Sequence, residues 1–448
     1  MGPRAMPDTA GTCVPHMSGA AGRSYGLRNP SPLREPVTMR LRTSRTTSSR
    51  FLRGLSLLAA GAVVAGCSAA GTAGGSAADG AESAAVKVGL VYSRSGPLAA
   101  YGKQYREGFT AGLAYATHGT GKVGGHPLEV IEQDDAGEPA KAVAEAKGLL
   151  GKGVRILAGT TDSGVALQMA PLAAQNHVLF VSGPAATDAV TGINKYTFRS
   201  GRQSYQDILT AGSLLGDPAG KKVTVLAQNS AFGQANVAAV KAVLGARGAR
   251  VSSVLAPPGA GDLTPFAQQV KSGGPDLVFV AWAGASAPAL WTALNQQGVL
   301  DTAKVVTGLA GTASYPVFGP AGGKVSFLAH YFPGAAVNPV ETAMIDGITK
   351  AGGTPPDLFS PDGFTAAQMV VRAIGSGSPT DTAAMVKALE DWTFEGPKGS
   401  ERIRAQDHAL LQPMFTARLT GTTAAAVPHR LSALPMTAVT PPVKPMAG

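Results

Sequence analysis

From Val86 almost to the C-terminus, short runs of aliphatic and β-branched residues alternate with stretches whose apolar positions recur every three to four residues. The run Val86-Lys-Val-Gly-Leu-Val91 predicts a strand, followed by a turn at 93–97 and a helix over about 99–115. A second strand is expected at 127–132. The helix beginning at Glu138 then sets Ala142, Ala146, Leu149 and Leu150 on one face. Strands at 155–158 and 178–181 flank a helix at 166–175. The same alternation restarts after Arg202, with strands at 222–226, 250–255, 276–280 and 304–307 and helices beginning near Phe232, Leu263 and Ala287. Beyond Tyr331 the pattern is helical at 339–350, 365–374 and 380–389, then ends in weaker strands around Glu401 and at 413–418. Strands and helices alternating through short connections predict α/β architecture, with parallel sheets covered by helices on both faces. Two such runs predict two doubly wound lobes.

The first 85 residues carry a different pattern. An Arg-rich stretch after Met39 precedes thirteen apolar or small residues, 54–66, and then Cys67. That run is too short for a hydrocarbon core, which takes roughly 20 residues, but it suits an export signal. Val64-Ala65-Gly66-Cys67 resembles the lipobox of bacterial lipoproteins, which implies removal of 1–66 and lipid attachment at Cys67. Residues 1–38 lack periodicity and precede a better start at Met39, so they read as a wrongly extended frame or a disordered leader. The small, polar segment 67–85 reads as a flexible tether, its eighteen residues after Cys67 reaching roughly 25 Å.

Charge alters the picture once it is divided along the chain. The formal net charge of the 448 residues is +10, but 1–66 hold nine Arg and two acids, leaving 29 basic and 26 acidic groups in the remainder. A net +3 spread over 382 residues is no footprint for a nucleic acid, which needs basic groups clustered on one face. Both cysteines, Cys13 and Cys67, lie in the leader, which excludes a disulfide scaffold and Cys-based metal sites in the body. The loop after the first strand is not Gly-x-Gly-x-x-Gly, and a Gly-x-x-x-x-Gly-Lys-Ser/Thr loop, His-Glu-x-x-His and a Gly-x-Ser-x-Gly elbow are absent from the chain. The reading is therefore of a protein that is not an enzyme and takes no cofactor or metal.

Open parallel sheets bind ligands outside the carboxyl ends of their strands. After the third strand, Gly159-Thr-Thr-Asp-Ser163-Gly164 leads into a helix. Its hydroxyls and free N–H groups suit a carboxylate, although Asp162 or Ser163 as a plain helix cap accounts for the pattern equally. Ser182-Gly-Pro-Ala-Ala-Thr187-Asp188 after the fourth strand is a second hydroxyl-rich turn on that edge, which favours an anion pocket. In the second lobe Trp282 offers a hydrophobic pocket wall or a residue buried under a helix. Gly308-Leu309-Ala310-Gly311 lies at the matching edge.

With these residues located, the body resembles the leucine/isoleucine/valine-binding family of ABC-transporter solute-binding proteins, of the type I periplasmic binding fold. The resemblance rests on Val86 to Val91, Ser95-Gly-Pro-Leu-Ala-Ala-Tyr101-Gly102, Asp134-Asp-Ala-Gly-Glu-Pro-Ala-Lys-Ala-Val143, Pro184-Ala-Ala-Thr187 and Gly396-Pro397, and runs from about 86 to 419. It implies two lobes, 86–202 with 332–408 and 203–331 with 409–448, joined by three hinge crossovers and closing on a ligand. It further implies that Ser163 and Thr187 bond a ligand carboxylate, that the Ala185 carbonyl accepts from its ammonium, and that Tyr101 lines an apolar pocket. Two departures stand out. Gly137 and Asp162 occupy the positions of a frequent family disulfide. Leu309 stands where the second lobe usually offers the ammonium an acid, so that Asp162, Asp188 or Asp362 takes that role or the ligand is no α-amino acid. Trp282, one position away from the usual aromatic, suits a larger or flatter apolar group. The expectation is a lipid-anchored, exported receptor, held on the outer face of the cytoplasmic membrane, that binds a branched-chain or aromatic amino acid for an ABC permease and ATPase. A binder of another organic carboxylate or amide, or a sensory module signalling to a partner protein, are the alternatives.

Overall fold

A computed structural model describes residues 83–421 and 425–446. The expectations for Cys67, the leader 1–66 and the tether up to residue 82 lie outside the described residues. No helix among the described residues is long and apolar enough to cross a membrane.

Two sheets organise the body. The first comprises β1 (Val86–Tyr92), β2 (Lys122–Val123), β3 (His126–Asp134), β4 (Ile156–Gly159), β5 (Leu179–Ser182) and β6 (Thr197–Arg199), in the order β2-β3-β1-β4-β5-β6. All its pairings are parallel except the short β2–β3 hairpin. The chain then builds β7 (Lys222–Gln228), β8 (Arg250–Ala256), β9 (Leu277–Ala281), β10 (Lys304–Gly308) and β11 (Val325–Ala329). It returns to the first body for a small antiparallel sheet, β12 (Thr393–Gly396), β13 (Gly399–Ile403) and β14 (Leu410–Leu411), whose Phe394, Ile403 and Leu410 join the core under the first sheet. Finally β15 (Met414–Thr420) and β16 (Val427–Leu434) extend the second sheet, ordered β16-β15-β11-β10-β9-β7-β8.

The second sheet therefore departs from the purely parallel expectation: β15 runs antiparallel to β11, and β16 to β15. A chain arriving from the other body reaches that edge through a short link, and the following hairpin turns the strand direction at once. Strands β6, β11 and β16 were not anticipated, nor was the helix Ser204–Leu215, which begins at Gln203 in a reciprocal capping arrangement with Gln206. Its Ile208, Ala211 and Leu215 pack on Val223, Val225 and Phe279 of the second sheet.

We label α1 (Ala99–Ala116), α2 (Pro139–Gly151) and α3 (Ser163–Gln175). Helix α3 starts three residues before the expected 166 because the Asp162 side chain accepts from the Val165 amide and caps it. Helix α1 presses closely on the helix Ser360–Arg372: a Cβ on Gly108 would stand 1.9 Å from the Ser360 carbonyl oxygen, and one on Gly363 1.9 Å from that of Tyr105. Only glycines permit this approach. It brings Tyr101 near the start of α1 edge-on to Phe359, ring centroids 4.9 Å apart.

Candidate functional site

In both sheets the chain order reverses beside the central strand, at β1/β4 in the first and β7/β9 in the second. The connections diverge there and leave a crevice at the carboxyl ends. A cleft of about 340 Å³ occupies this place, lined from the first body by Leu98, Tyr101, Asp162, Ser163 and Pro184, and from the second by Gln228, Ser230, Phe232 and Ala283. Arg202, where the chain leaves the first body, and Phe359, at the start of the helix Ser360–Arg372, complete it. A smaller cavity of about 70 Å³ adjoins it, sharing Tyr101, Arg202, Phe232 and Phe359 and reaching the ends of β9, β10 and β11 at Trp282, Leu309 and His330.

The acidic motif after β3 holds the rim in shape. Asp134 Oδ1 accepts from the Arg94, Ser95 and Ala136 amides at 2.9, 3.1 and 2.9 Å, and its Oδ2 accepts from the Ser95 hydroxyl at 2.6 Å. Asp135 accepts from the Ser93 hydroxyl at 2.7 Å and from the Thr160 hydroxyl, tying the loops after β1 and β4 together. These carboxylates therefore shape the cleft's edge from behind.

The sequence-predicted residues separate into two sets. Tyr101 and Ser163 line the larger cavity, and Trp282 and Leu309 the smaller. Ser163 Oγ also accepts from the Thr187 amide at 3.3 Å, joining the two hydroxyl-rich turns. Ala185 and Thr187 are buried and do not line either cavity. Their carbonyls accept from Arg199 Nη2 and Nη1 at 2.6 and 2.8 Å, and the Thr187 hydroxyl accepts from the Ala189 amide as a cap. The reason is that Arg199, wholly buried at the end of β6, draws this turn inward. Trp282 is no fully buried packing residue: its indole N–H donates to Ser286 Oγ at 3.0 Å while the ring forms cavity wall.

Of the three acids considered as stand-ins for Leu309, Asp162 alone faces the cleft. Asp188 accepts from the Tyr205 amide beside the C-terminal segment, and Asp362 is paired with Lys398 at 3.2 Å in the core. Burial raises the Asp162 carboxyl above its ordinary value, against the pull of the Val165 and Gly164 amides. Gly137, the other position of the absent disulfide, lines the same cleft. Gly396-Pro397 lies in the β12–β13 turn, where the Pro397 carbonyl accepts from Asn338.

Sequence reasoning passed over Arg202, Asp207 and His330. Arg202 Nη1 donates to the Pro184 carbonyl at 2.6 Å, its guanidinium lies over the Phe359 ring at 5.5 Å, and Nε stands 3.4 Å from Asp207 Oδ2. Burial pushes the Asp207 carboxyl up to about 6, with Arg202 opposing. His330 stacks on Phe359 at 5.2 Å, and burial, reinforced by Arg202 and Lys398, holds its imidazole neutral well below the usual histidine range. The only sequence signal for these residues was position, since Arg202 lies where the first run of strands ends and His330 follows a strand.

Comparison with known proteins extends this geometry. The family described as periplasmic binding protein matches residues 85–424. A Leu/Ile/Val-binding protein homologue of Brucella melitensis is 26% identical over 310 residues, covering 68% of this chain and 83% of its own. The Leu/Ile/Val-binding protein BraC3 of Rhizobium johnstonii is 27% identical over 310 residues, with the same coverage. Among solved structures, an ABC-type branched-chain amino acid transporter protein from Rhodopseudomonas palustris superposes with a TM-score of 0.67 at 30% identity, covering 80% of this chain and 99% of that one.

Proposed function

Because the chain belongs to the periplasmic binding protein family, as a solute-binding protein of an ABC transporter, we propose that it captures an α-amino acid with an apolar side chain between its lobes. The observation that carries this reading is the adjacency of Asp162 and Ser163 on the cleft wall. An α-amino acid presents an ammonium and a carboxylate one carbon apart. Ser163, at the first turn of the thirteen-residue α3, offers a hydroxyl and a helix N-terminus to the carboxylate. Asp162, next to it, offers the ammonium the acid that Leu309 does not. The remaining charges of the cleft, Arg202 and Asp207, face one another. The apolar side chain then lies against Tyr101, Phe232 and Phe359.

In this reading the lobes are 86–202 with 332–408 and 203–331 with 409–448, save that β14 (Leu410–Leu411) packs with the first body, and ligand contacts to both favour the closed state. The protein performs no chemistry on its ligand and delivers it to an ABC permease and ATPase. It is exported and held on the membrane's outer face by lipid on Cys67. Mass spectrometry of the membrane-extracted protein tests the anchor, which fails if Cys67 carries no diacylglycerol.

Calorimetric titration of the protein from Ser68 onward, freed of carried-over ligand, tests the ligand class. Leucine and phenylalanine are expected to bind while the corresponding deaminated acids do not. Tighter binding of the deaminated acids overturns the reading and makes Leu309 the mark of a cleft retuned to organic carboxylates.

A further inference from the structure

The smaller cavity is polar in a way that an aliphatic side chain cannot use. Three buried polar atoms there lack a partner among the described residues, both ring nitrogens of His330 and Asp207 Oδ1, while Arg202 Nε makes no hydrogen bond beyond its ion pair with Asp207 Oδ2. Their residues are only 3%, 4% and 5% exposed, and all three line this cavity. Buried polar groups are ordinarily paired, because each unpaired one forfeits the hydrogen bonds water gave it. Three such atoms beside the Arg202–Asp207 pair, converging on about 70 Å³, therefore point to an occupant.

The chemistry of the set narrows that occupant. An anion there would face Asp207, and a cation would face Arg202. What both tolerate is a neutral group that donates one hydrogen bond and accepts another. A neutral imidazole offers one donor and one acceptor, and Asp207 Oδ1 adds an acceptor beside its pair with Arg202. A hydroxyl satisfies one of each. The route from the larger cavity is walled by Tyr101, Phe232 and Phe359, so the part of the ligand that carries the hydroxyl inward is itself apolar and suited to a ring.

We propose that the smaller cavity binds a hydroxyl at the far end of the ligand's aromatic side chain, and that the protein accordingly selects amino acids bearing a para-hydroxylated ring. The proposal rests on the amino-acid reading above for the head group and on His330, Asp207 and Arg202 for the hydroxyl.

Titration of the wild-type protein with tyrosine and phenylalanine tests it. Tyrosine is expected to bind about tenfold or more tightly, since a site that hydrogen-bonds a hydroxyl rejects the analogue lacking it. His330→Phe keeps a ring on Phe359 but removes both nitrogens, and there the ratio falls to about one; His330→Gln, with a donor and an acceptor, keeps part of it. Equal binding of the two amino acids by the wild type overturns the proposal without needing any variant, and so does a ratio that survives His330→Phe. Leucine, 3-phenylpropionate and 3-(4-hydroxyphenyl)propionate separate the two readings. If leucine binds and tyrosine has no advantage, the amino-acid reading stands and the hydroxyl site fails. If only the deaminated acids bind, with the hydroxylated one ahead, the amino-acid reading fails and the hydroxyl site stands.

Discussion

Arg199 Nη2 donates to the Ala185 carbonyl at 2.6 Å, and the same guanidinium reaches the carbonyls of Thr187 and Arg202, each at 2.8 Å. One buried cation thus anchors the turn after β5 and the start of the first passage to the second sheet. Burial lowers its pKa to about 10, so it stays charged at neutral pH. Arg199→Met leaves three carbonyls without their donor in a dry site, at a cost of about 3 kcal/mol or more. We expect a marked fall in the melting temperature of the unliganded protein together with weaker ligand binding, and partial recovery in Arg199→Lys. An unchanged melting temperature in Arg199→Met refutes the anchoring role.

Ser163 and Thr187, equivalent in the sequence reading, are expected to separate in experiment. Ser163 lines the cleft and its hydroxyl accepts only a long bond from the Thr187 amide, so Ser163→Ala should weaken ligand binding by about 1.5–3 kcal/mol, roughly 10- to 100-fold, with little change in unliganded stability. Thr187 caps a turn behind the cleft, and Thr187→Ala should cost stability by about 1 kcal/mol with a smaller effect on affinity. The reverse ranking in paired calorimetric and thermal-melt measurements would show that closure turns Thr187 toward the ligand.

Asp162→Asn addresses the head group. Asparagine still caps α3, so the fold persists while the charge opposite the ammonium is lost. Amino-acid affinity should fall by about tenfold or more, and that for the deaminated acid should rise because the repulsion of its carboxylate is gone. If both ligands respond alike, Asp162 is a cap and nothing more.

How much of this was legible beforehand follows from where the information lies. The strand runs 86–91 and 222–226 are local and period-free, and both strands form there, two residues longer at 222–228 and one longer at 86–92. Ser204–Leu215 lies outside the helices expected from the sequence, and it gains its place by packing Ile208 and Ala211 on the second sheet. Tyr101 and Ser163 were readable as cleft-lining residues because they follow strands at a sheet's carboxyl edge. The inward turn of the Ala185 carbonyl was not legible, because the buried partner it accepts from, Arg199, is fourteen positions away and looks like a surface arginine in sequence. Asp207 and His330 line one cavity although the whole run from β7 to β11 separates them along the chain, so no spacing announces them.

Gly102 lies in one of the stretches that carry the resemblance, and its need for glycine is steric. A Cβ there would stand 2.0 Å from the Ser93 carbonyl oxygen, against backbone that cannot swing away. In an unobstructed helix Gly→Ala gains about 1 kcal/mol; here the sign should reverse, with Gly102→Ala costing about 1–3 kcal/mol and displacing the neighbouring Tyr101 from the cleft. Gly148 in α2, with nothing within 4 Å of a built Cβ, is the control, and Gly148→Ala should raise the melting temperature. Equal shifts in both variants would rule out the close approach as the reason for glycine.

Glu401 gives the fold a pH dependence whose sign is fixed. It is wholly buried, accepts from the Thr365 hydroxyl at 3.1 Å and lies among Lys398, Asp362 and Glu395; burial pushes its carboxyl from 4.5 up to about 7, with Lys398 opposing. Between those values the unfolded chain has released the proton while the folded one retains it, so the folded state binds more protons and stability falls as pH rises. Asp207, raised from 3.8 to about 6, acts in the same direction over a lower window. The Glu401 contribution is fully present below pH 4.5 and is lost by about pH 7, on the order of 3 kcal/mol across that span. Denaturant unfolding at pH 5 and pH 8 should show the wild type losing more stability toward pH 8 than Glu401→Gln, which keeps the shape and an acceptor for Thr365 without the ionisation. Parallel pH profiles for the two proteins would mean that Glu401 is ionised in the folded state throughout, its charge balanced by Lys398.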